Sequence, residues 1–384
     1  MNKFIKSEAI STGFAMFSMF FGAGNIIFPL VVGQYAGEHN FSAILGLLIT
    51  AVLMPFTGVV AMILYDGNYR RFFGRLGKIP GFLITLTLLT LLGPLGSIPR
   101  CIALSYATLK TLVPGLSSLG FSAFTCLIVY LMTIRKNRLL DLLGTFLTPL
   151  LLVLLFSVIV KGLLTPADYA LNASSDVNFF WHGLKEGYNT MDLMAAFFFS
   201  STIISILKTK ERGQDTDSKN YLKLTIQASF VGASLLAIVY IGFSYIAAFH
   251  APALNISRSD ELLSALTIKI AGPYAGYLAC TTIALACLTT AIALSAVFSD
   301  FMQKEVFQNK VHYKTVLAGT LIVTFFVSTF EFNGISAFLG PILEVCYPGL
   351  IALTLFNIFF YNKTFLGKKV ALILLPLFAL QMGY

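Results

Sequence analysis

Charge is what this chain of 384 residues has least of. Asp, Glu, Lys and Arg make up 11% of it, where a soluble domain carries about 25%. A water-facing surface for a chain this long cannot be covered by 26 basic and 17 acidic side chains. That scarcity excludes a soluble enzyme, a disordered chain and a nucleic-acid-binding domain. Cysteine is scarce too: Cys101, Cys126, Cys280, Cys287 and Cys346 are odd in number and all fall inside expected membrane spans, none in an outer loop, which argues against a disulfide framework. His39, His182, His250 and His312 lie far apart, in polar segments or at the ends of apolar runs, so no metal-ligand spacing emerges. What the chain has in excess is apolar: 57% of its residues. It is built for a bilayer.

A helix that crosses a bilayer needs about 20 mostly apolar residues. Residues 9–37, 39–65, 79–99, 111–134, 142–160, 224–257 and 272–299 carry no Lys, Arg, Asp or Glu, and neither do the shorter runs 193–207, 315–330, 345–362 and 370–384. Together they predict ten crossings and a short eleventh at the C-terminus. The runs are uniformly apolar and too long for barrel strands, so the expected class is an all-α integral membrane bundle. The first run is too long, and too interrupted, for a cleavable signal peptide.

The basic residues orient the bundle. With the N-terminus on the cytoplasmic side, the inner segments hold 20 Lys and Arg and the outer segments five: Lys110, Lys161, Lys185, Arg258 and Lys269. This is a strong positive-inside bias. The net charge of +9 therefore signals orientation and contact with anionic lipid heads, with no nucleic-acid partner. The outer segments 161–187 and 249–272 are the long ones. In the second, Ser257-Arg258-Ser259-Asp260 reads as a capping box before Leu262, Leu263, Leu266 and Ile268 and predicts a short outer helix, either a lid or an ordinary surface helix.

Most of the apolar runs need no functional explanation, and the informative places break the apolar rule. The first run reads Ser18-Met19-Phe20-Phe21-Gly22-Ala23-Gly24-Asn25-Ile26-Ile27-Phe28-Pro29. Two glycines, an asparagine and a proline at mid-membrane depth interrupt the hydrogen-bond ladder, which lipid tolerates only where backbone is buried in protein or lines a cavity. An unwound segment frees carbonyls for a cation and aims the next half-helix's amides at a carboxylate. Close packing of helices through small residues fits the same letters. About 165 residues later, Glu186-Gly187-Tyr188-Asn189-Thr190-Met191-Asp192 precedes the run 193–207. An acidic residue there tends to face a cavity, and a second interrupted helix is the pattern of an inverted-repeat transporter; a solvated Asp192 near the interface is the alternative. In 272–299, Thr289-Thr290 offers two hydroxyls to a hard cation, although membrane threonines more often bond back to their own helix. Arg100 is expected to snorkel to the outer face and Asp300 to be solvated at the inner one. Glu344, between Gly340-Pro341 and Pro348-Gly349, is a candidate for gating or proton relay.

The stretch Phe20-Phe21-Gly22-Ala23-Gly24-Asn25-Ile26-Ile27-Phe28-Pro29 resembles the first-helix signature of the bacterial branched-chain amino acid:cation symporter family. Gly187-Tyr188-Asn189-Thr190-Met191-Asp192 is similar to that family's Gly-Tyr-x-Thr-Met-Asp stretch in helix six. The resemblance runs from about residue 7 to the last helix. It implies a leucine-transporter-like fold in a single transporter domain: two inverted five-helix repeats, about 7–165 and 183–362, plus a short C-terminal helix at 370–384, with helices one and six broken at the site. It also implies a multi-pass protein of the bacterial cytoplasmic membrane that carries leucine, isoleucine and valine inward on a sodium or proton gradient.

On the same grounds a sodium ion would meet the carbonyls of Ser18, Phe21 and Ala286 and the hydroxyls of Thr289 and Thr290. The substrate carboxylate would meet the amides of Ala23, Gly24 and Asn25, beside Gly22. Its ammonium would meet carbonyls near Phe20 and along Tyr188, Asn189, Thr190 and Met191, aided by Asp192. Tyr188 and Phe197 are the candidates for the apolar pocket. Family members usually have twelve helices and this chain carries about eleven; both repeats are expected to be whole. Two rival classes are a membrane-embedded lipid-modifying enzyme, which needs converging acid, base or metal groups, and a same-fold carrier of another small amino acid or amine. A channel would need a ring of selectivity residues, and none is visible.

Overall fold

The computed structural model describes residues 2–113, 115–134, 148–166, 178–211, 220–254, 256 and 258–361. The short C-terminal helix expected at 370–384 lies outside them. The described residues are almost wholly helical. The first crossing is α1 (Asn2–Phe20) and α2 (Ala23–Ala36). The second is α3 (Asn40–Leu48), which passes through a π turn at Ile49–Leu53 into α4 (Met54–Leu64). After the short α5 (Tyr69–Phe73), the third crossing is α6 (Lys78–Leu92) and α7 (Ser97–Lys110). Then come α8 (Ser118–Ile134), α9 (Thr148–Leu164), α10 (Phe179–Asn189), α11 (Asp192–Glu211) and α12 (Asn220–His250). The rest is α13 (Ser259–Ala271), α14 (Pro273–Phe301), α15 (Tyr313–Ser328) and α16 (Glu331–Phe359).

Among the described residues, five helical stretches are long and apolar enough to cross a bilayer: Ala23–Leu64, Lys78–Lys110, Leu222–His250, Gly276–Val306 and Glu331–Phe359. Three shorter apolar helices accompany them, Ser118–Ile134, Pro149–Leu164 and Tyr313–Ser328. Large apolar side chains point away from the protein, Tyr274 at 90% and Phe359 at 76% exposure, as a lipid-facing surface requires.

Close approach of backbones sets the frame around the centre. Helix α12 runs along both α1 and α2, α14 along α7, α3 along α10, and α11 along α4. Small residues permit this, because helix pairs in lipid gain from packing and little from apolar burial. A Cβ on Gly33 would collide with the Ser244 carbonyl of α12, and one on Gly183 with the Ala43 carbonyl of α3.

Among the described residues the crossings break in three places. The first and sixth are interrupted at 21–22 and 190–191, where the sequence expects it. The third is also broken, at 93–96 between α6 and α7, where the charge-free run 79–99 reads as one continuous helix. Gly93 and Gly96 flank a Pro-Leu pair there and leave helical geometry.

The short helix expected after residue 257 is α13. Its N-cap position is Arg258, without a side-chain capping bond, and Ser257 lies outside the described residues. It is inserted among other helices, with Asp260, Leu262, Leu263 and Leu266 buried and contacts to α2, α7, α9 and α14. Arg258 ties it to α16, reaching the Asp260 carboxylate at 2.8 Å and Glu331 at 2.9 Å. Those partners, Asp260 first, push the Arg258 guanidinium pKa further up. At the opposite end of the bundle Arg75 donates to the Tyr65 hydroxyl at 2.7 Å and to the Phe360 carbonyl at 2.9 Å.

Candidate functional site

The Phe21 amide still serves the Phe17 carbonyl at 2.8 Å, and the helical ladder of α1 ends at the next amide, that of Gly22. Gly22 is extended (φ −113°, ψ −164°), and its N–H turns to the Asn25 side-chain oxygen at 3.1 Å. In an uninterrupted helix that amide would serve the Ser18 carbonyl four residues back. Asn25 thus ends one helix and sits in the first turn of the next. Pro29, inside α2, has no N–H to offer the Asn25 carbonyl, so further backbone oxygen is released near the break.

Asn25 is also the hinge of a buried polar cluster. Its amide nitrogen donates to both carboxylate oxygens of Asp192 at 2.7 Å and contacts the Tyr240 hydroxyl. Tyr240, on α12, donates to Asp192 at 2.8 Å. Asp192 is 1% exposed and Asn25 2%. A carboxylate that deep survives only when hydrogen-bonded, and its place in the first turn of α11 adds the favourable helix dipole. The break in front of it runs through Thr190 and Met191. Met191 has φ 64°, a left-handed conformation that costs a non-glycine residue about 1–2 kcal/mol. Its sulfur accepts from the Ser97 hydroxyl of α7 at 3.4 Å.

The two breaks touch. A Cβ on Gly24 would lie 3.2 Å from the Thr190 Cα and 3.3 Å from the carbonyls of Asn189 and Thr190. On the other side of the first break stands α14. The Thr290 hydroxyl donates to the Phe21 carbonyl at 3.3 Å and to the Ala286 carbonyl at 3.2 Å. The Thr289 hydroxyl meets the same Ala286 carbonyl at 2.7 Å. Four oxygens are gathered here from two elements, none of them a carboxylate. Among the described residues no three His, Cys, Asp or Glu side chains gather to hold a metal ion.

Between the breaks, α7 and α14 lies a cavity of about 30 Å³, counted by where the centre of a water molecule can sit. That is room for about two waters and too little for an amino acid without movement. Of the residues expected to bind substrate, Phe20, Gly22, Ala23, Gly24, Asn25, Thr190, Met191 and Asp192 line it. Tyr188 and Asn189 do not. Tyr188 lies against Tyr347 with ring centroids 4.8 Å apart, and the Asn189 amide donates to Glu186 at 3.0 Å. Phe197 packs on Phe72 and Phe73, and Phe199 takes the apolar place at the cavity. Of the residues expected at the ion, Phe21, Ala286, Thr289 and Thr290 are joined as above, and Ser18 sits in the last turn of α1. Glu344 is half exposed and pairs with Lys185 at 3.2 Å.

Arg100 differs from expectation. It does not snorkel to a face of the bundle; it is 2% exposed, lines the cavity, and donates through Nη1 to the Asn189 carbonyl at 2.9 Å. The break at 93–96 explains this, because it makes Arg100 a first-turn residue of a new helix at the centre of the bundle. Tyr240 was also missed: one hydroxyl in an apolar run carries no sequence signal of its own.

The profile of the family described as branched-chain amino acid transport protein matches residues 5–383. Among individual relatives, a Staphylococcus aureus (strain USA300) protein named as a branched-chain amino acid carrier is 30% identical over 385 residues, covering 94% of this chain and 83% of its own. A Staphylococcus epidermidis protein of the same description is 30% identical over 382 residues, with the same shares covered. Among solved structures, the manganese transporter of Eremococcus coleocola in complex with an aromatic bis-isothiourea substituted compound superposes with a TM-score of 0.64 at 15% identity, covering 98% of this chain and 87% of that one. The inward-facing conformation of Mhp1 gives 0.55 at 14% identity, covering 89% and 75%. Both have the leucine-transporter fold, and at this identity the likeness concerns architecture.

Proposed function

The chain belongs to the branched-chain amino acid transport protein family, and from that premise we propose that it is a secondary symporter importing leucine, isoleucine and valine on a sodium gradient. The observation that carries the sodium assignment is the convergence of the Phe21 and Ala286 carbonyls with the Thr289 and Thr290 hydroxyls beside the first break. Oxygens set at right angles about 2.4 Å from a hard cation lie about 3.4 Å apart. The Thr290 hydroxyl stands 3.3 and 3.2 Å from the two carbonyls, so a small shift would open the cluster around an ion, and the Ser18 carbonyl, without the Gly22 amide, is the fifth candidate.

The amino acid would occupy the neighbouring cavity, with Ala23, Gly24, Asn25, Thr190, Met191 and Asp192 around its polar end. Sodium bound across α1 and α14 would fix the first break, which also forms a wall of the cavity. Two ligands that favour the same conformer raise each other's affinity. The cavity's present size requires opening for entry and release, which suits alternating access. The two repeats, about 7–165 and 183–362, would supply the moving bundle (helices one, two, six and seven) and the frame. Membership in the family supports a bacterial cytoplasmic membrane, and the basic-residue bias favours an N-terminus on its inner side.

The test is uptake of labelled leucine by proteoliposomes. Replacing external sodium by choline should abolish it, and Thr289→Ala with Thr290→Ala should do the same while the protein stays monodisperse. Undiminished, sodium-dependent uptake by the double variant overturns the ion site.

A further inference from the structure

We propose that Arg100 is a substrate-binding residue of the cavity, taking the α-carboxylate of the amino acid through its Nε and Nη2 edge. The inference rests on the amino acid transport reading above and adds to it the group that recognises the acid.

Three observations carry it. Arg100 lines the cavity formed by both breaks and is 2% exposed. Of its three nitrogens only Nη1 has a partner, the Asn189 carbonyl at 2.9 Å. Nε and Nη2 are buried without one; the Glu186 carboxylate acts on Arg100 through space, and among the described residues no hydrogen bond or ion pair joins the two. These two nitrogens form one edge of the guanidinium fork, the edge that meets both oxygens of a carboxylate in parallel. A buried donor left unpaired is costly, and a buried charge more so. A zwitterion that brings its own carboxylate supplies the pair of acceptors that this edge lacks.

The surroundings hold the fork in place. Its central carbon lies 5.3 Å from the Phe28 ring centroid and 5.7 Å from that of Phe332, and those rings are 6.0 Å apart. Seated beside this ring pair, which attracts a cation, and anchored at Nη1, the guanidinium keeps its free edge without help from a ligand. Asp192 stands on the same cavity with the opposite charge. The site therefore carries one fixed group for each end of a zwitterion, and the amides of α2 join Arg100 at the acid end.

The experiment compares leucine with leucinamide, which keeps the ammonium and side chain and replaces the carboxylate by a neutral amide. Binding is measured on the purified full-length chain in nanodiscs with sodium present. The wild-type protein is expected to prefer leucine at least tenfold. In Arg100→Gln leucine should weaken at least tenfold and leucinamide less than twofold, so the preference disappears. Arg100→Lys keeps the charge without the fork; it should lose several-fold for leucine alone, and it decides the matter if the Gln variant does not fold. Equal weakening of both ligands would mean that Arg100 only props the Asn189 carbonyl, and overturns the proposal. So does an undiminished leucine preference in either variant. Wild-type protein that binds none of leucine, isoleucine and valine overturns the transport reading itself, and this assignment with it.

Discussion

The first and sixth crossings are both interrupted, and they achieve it by opposite means. The first break is made of residues that cannot hold a helix together in lipid: Gly22 goes extended, Asn25 takes its amide, and Pro29 withholds another. The sixth break is made by a residue with no such tendency. Met191 is forced to φ 64° between Thr190 and the buried Asp192, and a neighbouring crossing holds it there through Ser97. One break is a property of its own letters, and the other is imposed by what surrounds it. Strain of the second kind persists only where the surrounding structure over-determines it, and it concentrates at functional sites.

The strongest way to break that pairing is to push the two interruptions apart. An added Cβ on Gly24 meets backbone of the sixth crossing at 3.2 and 3.3 Å, and backbone cannot rotate away as a side-chain tip can. Overpacking of this kind costs about 1–3 kcal/mol. Gly24→Ala should therefore reduce leucine uptake roughly 5- to 150-fold if that cost falls on the transporting conformer, and Gly24→Val should reduce it to the background of empty liposomes. Gly319→Ala, where nothing lies within 4 Å, is the matched control and should transport normally. Normal uptake by Gly24→Val would show that the breaks need not touch.

That asymmetry also decides what could be read in advance. Gly22-Ala23-Gly24-Asn25 and Asp192 stand out because each is improbable in lipid wherever it sits along the chain. Thr289-Thr290 is legible only as a pair, since one hydroxyl in a membrane helix usually returns to its own backbone, as the Thr354 hydroxyl does on the Leu350 carbonyl. Arg100 was misplaced because its distance from the start of the third apolar run implies an interface, and the break at 93–96 that recentres it is written in one Gly-Pro-Leu-Gly that equally suits a packed kink. Tyr240 gave no signal because its partner is 48 residues away in sequence and its neighbours are ordinary lipid-compatible residues. Chemistry visible at one position was legible; chemistry assembled from several crossings was not.

Tyr240 supplies an intermediate effect. Its hydroxyl donates to the Asp192 carboxylate, as the Asn25 amide does, and a hydrogen bond to a charged group is worth about 1.5–3 kcal/mol. Tyr240→Phe keeps the ring and deletes that bond, so it should lower the protein's stability by that amount, read as a drop in the thermal transition of the purified protein. Asn25 also caps the first break, so Asn25→Leu should cost more, since it unpairs the Gly22 amide as well as the carboxylate. If the two variants are equally stable, Asn25 serves only Asp192, and the two breaks are less tightly linked than the geometry implies.

The smallest effect concerns Met191 and isolates the imposed strain itself. Both Met191→Ala and Met191→Gly remove a buried side chain, 1% exposed, and both leave a comparable void at a cost of about 2–5 kcal/mol. They differ in what they ask of the backbone. Alanine must still adopt a left-handed conformation that costs it about 1–2 kcal/mol, whereas glycine adopts it freely and loses up to about 1 kcal/mol of unfolded-chain entropy in exchange. Met191→Gly should therefore equal or exceed Met191→Ala in stability, by up to about 1 kcal/mol. At Ala196, one turn into α11 and fully buried, the order should reverse, with Ala196→Gly destabilising by about 0.5–1 kcal/mol. Thermal unfolding of the three variants checks both signs. An alanine advantage at residue 191 would mean that the sixth break relaxes once its side chain is gone, and that the left-handed turn belongs to Met191 rather than to the helices that press on it.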